Sequence, residues 1–286
     1  KGANKGGMVR RLAQMLEIRQ ELGKTSNTKY ETIAASAGPD HRVRGTLQFY
    51  GASRTGRWAG RLLQVQNLPR TYLDHQAEWR SIVKLHDPEA LALLTDNVSD
   101  TLSQLIRTAL VPGKGCTFVD ADFSAIEARL IAWLAGEEWV LDVFRTTGKI
   151  YEATAARIFG VPFDSIVKGN PNYKYRQRGK VATLALGYQG GVGAMKRMGG
   201  DQLGLDDEGL QDIVNRWRRQ NPSICKLWRR MQDAAVHTIR TGRTTVPRVG
   251  VTLRKEVAWG FPFPFLTIQL PSGRKLFYAD PGTTPD

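Results

Sequence analysis

The chain has 286 residues, 41% hydrophobic and 24% charged, enough for a sizeable core in one or two domains. It has no 18-residue apolar run and no basic-then-apolar leader, which argues against membrane insertion and secretion, and Cys116 and Cys225 lack metal-ligand spacing and read as free thiols. Its net charge of +14 is uneven: residues 1–70 carry +9, residues 71–170 carry −5 and residues 171–286 carry +10, so two basic blocks suited to a polyanion flank an acidic middle.

In chain order, "MVRRLAQMLEIRQELG" places Leu12, Met15, Leu16 and Ile18 at roughly helical spacing, with Gly23 as the stop. A second helix is expected around residues 25–37, before the turn at Gly38-Pro39-Asp40, and a strand over residues 42–50. "GASRTGRWAGRLLQVQNLPR" reads as a loop followed by a short extended piece, and residues 87–110 as helical and polar. "GCTFVDADF" then predicts a strand, and "SAIEARLIAWLAG" a helix capped by Ser124 with Glu127 three residues on, the spacing of a capping box. Helices follow at about 149–159, 173–187, 208–219 and 223–241, with Asn221-Pro222-Ser223 as the start signal of the last. The remainder reads as strands, with "FLTIQL", "PSG" and "RKLFY" forming a hairpin. Helices and strands segregate along the chain, which suits an α+β fold, a mixed sheet joined to a helical insertion, more than a doubly wound layer. The chain opens without an initiator methionine and closes on a turn-rich tail, as a piece of a longer protein would.

Three segments carry candidate chemistry. In "TFVDADFSAIEAR" side-chain alternation sends Asp120 and Asp122 to one side, with Asp122 where strand passes into helix. A carboxylate held there suits a hard cation such as Mg²⁺ that borrows phosphate oxygens as further ligands. The competing reading has either aspartate simply cap the helix, and Glu127 serve the capping box or pair with Arg129.

In "YRQRGKVATLALGYQGG", Arg176, Lys180, Leu184 and Tyr188 recur at steps of four. On a helix they form a slowly spiralling row of roughly 18 Å at 1.5 Å per residue. Two cations one turn apart repel unless an anion lies between them, and a triphosphate would supply it. Beyond them Leu184 and Tyr188 offer an apolar and aromatic surface for a sugar and base. A basic surface helix with an apolar turn in the core is the alternative. No Gly-Lys-Ser/Thr follows Gly187, Gly190 or Gly191, so this is not a Walker-type loop.

In the glycine-arginine segment Arg54, Arg57, Arg61 and Arg70 suit phosphates, and Gln64, Gln66 and Asn67 can reach minor-groove acceptors. A soluble loop has a similar composition, but adjacent amides before Pro69 favour fixed geometry.

Together these segments resemble the polymerase region of family A DNA polymerases, the DNA polymerase I type, and are most similar to the bacteriophage versions. "RTGRWAGRLLQVQNLPR" is similar to the family's Thr-Gly-Arg…Pro-Asn-Leu-Gln-Asn-Ile-Pro segment, and "DFSAIEARLIAWLAG" to its first carboxylate motif, commonly Asp-Tyr-Ser-Gln-Ile-Glu-Leu-Arg. "RQRGKVATLALGYQG" fits its fingers helix, and "KIYEATAARIFG" its Ile-His…Thr-Ala…Phe-Gly stretch. The likeness runs from about residue 10 to the end.

The resemblance implies a DNA-directed DNA polymerase acting by two-metal phosphoryl transfer, with primer-template DNA and dNTPs as partners. It implies two Mg²⁺ ions held by Asp122 and the Phe123 carbonyl, with Asp122, Arg176 and Lys180 as catalytic groups. Glu127 would exclude a ribose 2′-hydroxyl; Arg176 and Lys180 would grip the triphosphate. Phe123, Tyr151, Leu184 and Tyr188 would complete the dNTP site, and Arg54, Arg57, Arg61, Gln66 and Asn67 would contact primer-template. A right-hand architecture is implied: residues 1–40 the end of the thumb, 41–136 and 245–286 the palm, and 137–244 the fingers. A monomer in the host cytoplasm, with replication accessory proteins as further partners, completes the expectation.

The chain departs from the family's pattern in three places. No His-Asp-Glu turn with the second catalytic aspartate follows Tyr278, and Asp280 stands in "ADPGTTPD" without the flanking strands, so this stretch by itself is expected to be inactive. Leu184 replaces the usual aromatic. Tyr151 stands where histidine is common and cannot carry imidazolium charge.

Overall fold

The computed structural model describes residues 3–22, 26–258 and 260–283. The chain divides into two compact units, Lys1–Asp120 and Ala121–Asp286, each built round its own core. No helix among the described residues is long and apolar enough to cross a membrane.

The first unit opens with helices α1 (Ala3–Leu22) and α2 (Thr28–Ser36). The expected stop of α1 at Gly23 lies outside the described residues. Leu12, Met15, Leu16 and Ile18, which motivated the helix, are all exposed on it. Strands β1 (Leu47–Ala52) and β2 (Arg57–Gly60) form an antiparallel hairpin in which Gln48 faces Ala59. The strand expected at 42–50 therefore lies a few residues later, and the glycine-arginine "loop" is half of that hairpin. Helices α3 (Gln76–Val83), α4 (Pro88–Leu94) and α5 (Val98–Leu105) follow. Asp87 caps α4 by accepting from the Glu89 and Ala90 amides, and Asn97 caps α5. Leu63, Leu68 and Ile106 form the core of this unit, with Tyr30 and Ile33 of α2 against it. The Tyr30 hydroxyl donates to the Leu102 carbonyl at 2.8 Å, and Arg107 donates to the carbonyls of Leu68 and Pro69.

The second unit holds helices α6 (Ile126–Ala135), α7 (Glu138–Thr146), α8 (Ile150–Phe159), α9 (Lys174–Leu186), α10 (Val192–Arg197), α11 (Asp207–Gln220) and α12 (Pro222–Thr241). Strands β3 (Thr245–Arg248), β4 (Val251–Val257), β5 (Pro264–Gln269) and β6 (Lys275–Ala279) then form one antiparallel sheet in sequential order. The order of elements is the expected α+β one, and β5–β6 is the expected hairpin, with Thr267 opposite Phe277. Val181, Leu186, Met195, Leu210, Ile213 and Ile224 lie in one core that binds α9 to α10, α11 and α12. Leu253 and Leu266 bury one face of the sheet against Met231, Ala235 and Ile239 of α12. At about 25 cal/mol per Å² these two cores supply most of the drive to fold.

Two expectations at the junction are corrected. Residues 116–123 carry no strand, and residues 111–124 are exposed throughout. A strand is held by a ladder partner and a buried face, and no described strand pairs with this segment. The capping box is also absent: Ala125, at φ 49°, takes the cap position with no side-chain cap bond. Its left-handed backbone moves Ser124 out of capping geometry, and the Ser124 carbonyl instead accepts from Arg129 Nε at 2.9 Å.

Helix α12 starts at the expected Asn221-Pro222-Ser223 signal, with Asn221 at the cap position and Pro222 in the first turn. Asn221 makes no side-chain cap; its amide donates to the Trp217 carbonyl. The free amides of Ser223 and Ile224 instead donate to the carboxylate of buried Glu137, just before α7. Burial pushes the Glu137 carboxyl above the usual range, opposed by those two amide bonds.

Candidate nucleotide site on helix α9

Helix α9 carries Arg176, Lys180 and Leu184 as expected but ends at Leu186, so Tyr188 occupies the turn that follows. Glycine inside a helix weakens it by about 1 kcal/mol unless packing demands it. Gly179 meets that demand: a Cβ there would stand 2.2 Å from the Tyr151 carbonyl oxygen and 2.9 Å from the Ala155 Cβ. Helix α8 thus lies against α9, and the Thr183 hydroxyl lies 3.2 Å from that of Thr154.

This contact brings the phosphate-binding candidates together. Arg176 Nε donates to Glu152 Oε1 at 2.7 Å, and its guanidinium lies 5.8 Å from the centre of the Tyr151 ring. Glu152 therefore supplies an anionic partner for Arg176 and raises its proton affinity further. The sequence reading missed Glu152. Its signal was its place beside Tyr151 in "KIYEATAARIFG". Lys180, half-buried one turn on, makes no ion pair among the described residues.

At the other end of α9 a cleft of about 80 Å³ opens between α6 and α9. Glu127, Ala128 and Ile131 of α6 form one wall, and Thr183, Leu184 and Tyr188 the other. The wall is mostly apolar, with the Glu127 carboxylate and Tyr188 hydroxyl as its titratable groups. Glu127 thus faces the nucleotide row rather than closing a capping box. Gly190 permits the turn beyond Tyr188, since a Cβ there would collide with the Ala185 carbonyl.

The remaining candidates lie elsewhere. Asp122 and Phe123 are exposed in the segment leading to α6 and do not line this cleft. Among the described residues no three His, Cys, Asp or Glu side chains gather to hold a metal ion. One carboxylate and one carbonyl do not make a site for two octahedral ions, so the donors present do not fit the expected pair of Mg²⁺.

In the first unit, Arg61 Nε donates to Gln48 Oε1 at 2.8 Å, and Asn67 Nδ2 to Gln64 Oε1 at 2.9 Å. The Gln66 amide lies over Gly60, where a Cβ would stand 2.3 Å from it. Gln66 therefore sits against the hairpin and Asn67 is tied to Gln64, while Arg54 lies in the hairpin turn and Arg57 directly follows it.

Comparison with known proteins follows the same lines. The chain is 50% identical over 268 residues to the DNA polymerase of Bacillus phage SP02, covering 94% of this chain and 40% of that protein. It is 30% identical over 149 residues to DNA polymerase I of Pseudomonas aeruginosa, covering 50% of this chain and 15% of that protein. The chain thus spans well under half the length of these relatives. Among solved structures, the POL domain of Pol1 from M. smegmatis, in complex with DNA primer-template and dNTP, covers 75% of this chain and 31% of its own. At a TM-score of 0.50 and 20% identity, that likeness is one of fold. The family profile for DNA polymerase family A matches residues 8–251, and the chain belongs to that family.

Proposed function

We propose that this chain supplies the dNTP- and primer-template-engaging part of a DNA-directed DNA polymerase. The observation that carries the reading is one helix, α9, with Arg176 and Lys180 at one end and a cleft faced by Glu127, Leu184 and Tyr188 at the other. An incoming nucleotide lies along it, triphosphate toward the cations, sugar against Glu127 and Leu184, and base toward Tyr188. Glu127 on the opposite wall collides with a 2′-hydroxyl and leaves a deoxyribose free. Glu152 holds the Arg176 guanidinium in place beside the phosphates, and Lys180 meets a second phosphate. The reaction is attack of the primer 3′-hydroxyl oxygen on the α-phosphorus. The bond to the bridging oxygen of pyrophosphate breaks, and the hydroxyl proton leaves to solvent. Arg54, Arg57, Arg61, Gln66 and Asn67 contact primer-template on the hairpin unit. In hand terms residues 1–40 end the thumb, 41–136 and 245–286 belong to the palm, and 137–244 form the fingers.

The divalent ions of such a reaction need donors beyond Asp122 and the Phe123 carbonyl, so incorporation is expected at background for this chain by itself. Template-directed binding is not so limited and is the test. A preformed complex of the chain with primer-template is titrated with each dNTP. The nucleotide complementary to the templating base should bind at least about tenfold more tightly than the others, a difference of about 1.4 kcal/mol. Equal affinity for all four would overturn the reading.

A further inference from the structure

The elbow between α11 and α12 carries a concentration of positive charge of which the fold uses only Arg218, through its bond to the Gly190 carbonyl. Arg218 and Arg219 close α11, and Lys226, Arg229 and Arg230 follow in the first turns of α12, all five exposed. None of these five forms an ion pair among the described residues, whereas Arg216, one turn back, is bound to Asp212 at 2.7 Å. The two helix ends are in contact, since the Cys225 thiol donates to the Arg218 carbonyl at 3.7 Å. The one nearby carboxylate buried at this junction, Glu137, is already occupied by the Ser223 and Ile224 amides.

Like charges four apart on one helix face, as at Lys226 and Arg230, weaken a helix. Lys226, Arg229 and Arg230 share the solvent face of α12, and the opposite face is already buried through Ile224 and Leu227. Nothing in the packing requires this cluster, and a chain of phosphates would relieve it.

The elbow is also joined to the cleft. Arg218 Nη2 donates to the Gly190 carbonyl at 3.2 Å, two residues beyond Tyr188. Arg218 thus adjoins the Tyr188 end of the cleft on one side and the start of α12 on the other.

We infer that the α11–α12 elbow binds the phosphates of the unpaired template strand ahead of the nucleotide site. The inference rests on the proposed polymerase reading, which requires each templating base to be single-stranded before it pairs. Single-stranded DNA is chosen over duplex because Arg218 ties the elbow to the turn just beyond Tyr188, the end of the cleft assigned to the templating base.

The test is fluorescence anisotropy of the intact chain on two labelled DNAs at several salt concentrations: a primer-template with a long 5′ template overhang and a blunt duplex of the same sequence. The variant is the triple Lys226→Ala, Arg229→Ala, Arg230→Ala, with Lys226→Arg, Arg229→Lys, Arg230→Lys as the charge-keeping control. Wild type should bind the overhang substrate more tightly. The alanine variant should lose about tenfold or more on that substrate, and its log-log salt slope should fall by about 2, near 0.7 per phosphate contact on a single strand. The charge-keeping control should retain both, and blunt-duplex affinity should be unchanged throughout.

An alanine variant with unchanged overhang affinity and slope overturns the inference. So does equal loss on both DNAs, which would assign the elbow to duplex. A fall in the charge-keeping control would mark a packing role and overturn it as well. Because these readouts need no dNTP, they separate from the polymerase reading, which fails by loss of template-directed dNTP discrimination instead.

Discussion

Glu152 of α8 and Arg176 of α9 are joined at 2.7 Å, Glu152 the more buried of the two. On the proposed reading, a triphosphate would share Arg176 with a carboxylate already in place. Glu152→Gln removes the competing charge and keeps the shape. Intrinsic tryptophan quenching on dNTP titration should show affinity raised by about threefold or more at low salt, an effect fading as ions screen the site. The ion pair is partly open to solvent, so unfolding free energy should stay within about 1 kcal/mol of wild type.

The two cations of the row should be separable. Arg176→Ala also strands the Glu152 carboxylate, so it should weaken triphosphate binding and lower stability together. Lys180 has no ion pair among the described residues, so Lys180→Ala should weaken triphosphate binding by about tenfold or more with little change in melting. Paired dNTP titrations and thermal melts of both variants check this.

Gly179→Ala should destabilise the protein although alanine is the better helix former. The propensity gain is about 1 kcal/mol, but the added methyl must displace the Tyr151 carbonyl and Ala155, which lie at 2.2 and 2.9 Å from its position. A net loss of about 1–3 kcal/mol in urea unfolding is expected.

The readable parts of this chain were those set by local period. Helices α8, α9, α11 and α12 lie within a few residues of expectation because each shows a repeating apolar face bounded by proline, glycine or polar residues. Helices α7 and α10, nine and six residues long, were missed because so few turns give little pattern. The strand over residues 116–123 was legible as alternation, but it has no ladder partner among the described strands. The capping box was a correct spacing undone by one left-handed residue, Ala125. Among site residues the α9 row was visible from its four-residue step. Glu152 was not, since its place beside Tyr151 is the only sequence sign of an ion pair to a residue 24 positions on.

Glu137 gives a pH signature. Its carboxyl is pushed up in the native state, so the native protein holds a proton that the unfolded chain has already released. Stability contributed by that proton is present at low pH and is lost as pH rises from the ordinary glutamate range, near 4.3, through the raised native value. Glu137→Gln keeps an acceptor for the Ser223 and Ile224 amides and should flatten this part of the pH profile in urea unfolding. Glu137→Ala leaves both amides without that acceptor and should cost about 1–3 kcal/mol at any pH.

The central claim is that the cleft between α6 and α9 holds the sugar of the incoming nucleotide against Glu127. Its most direct measurement is the affinity of the primer-template complex for a complementary dNTP and for the matching rNTP, in wild type and in Glu127→Ala. Wild type should favour the deoxynucleotide by about tenfold or more, and the variant should bind the two nearly alike by gaining the ribonucleotide rather than losing the deoxynucleotide. Equal binding of both sugars by wild type, or a preference that survives in the variant, would contradict it.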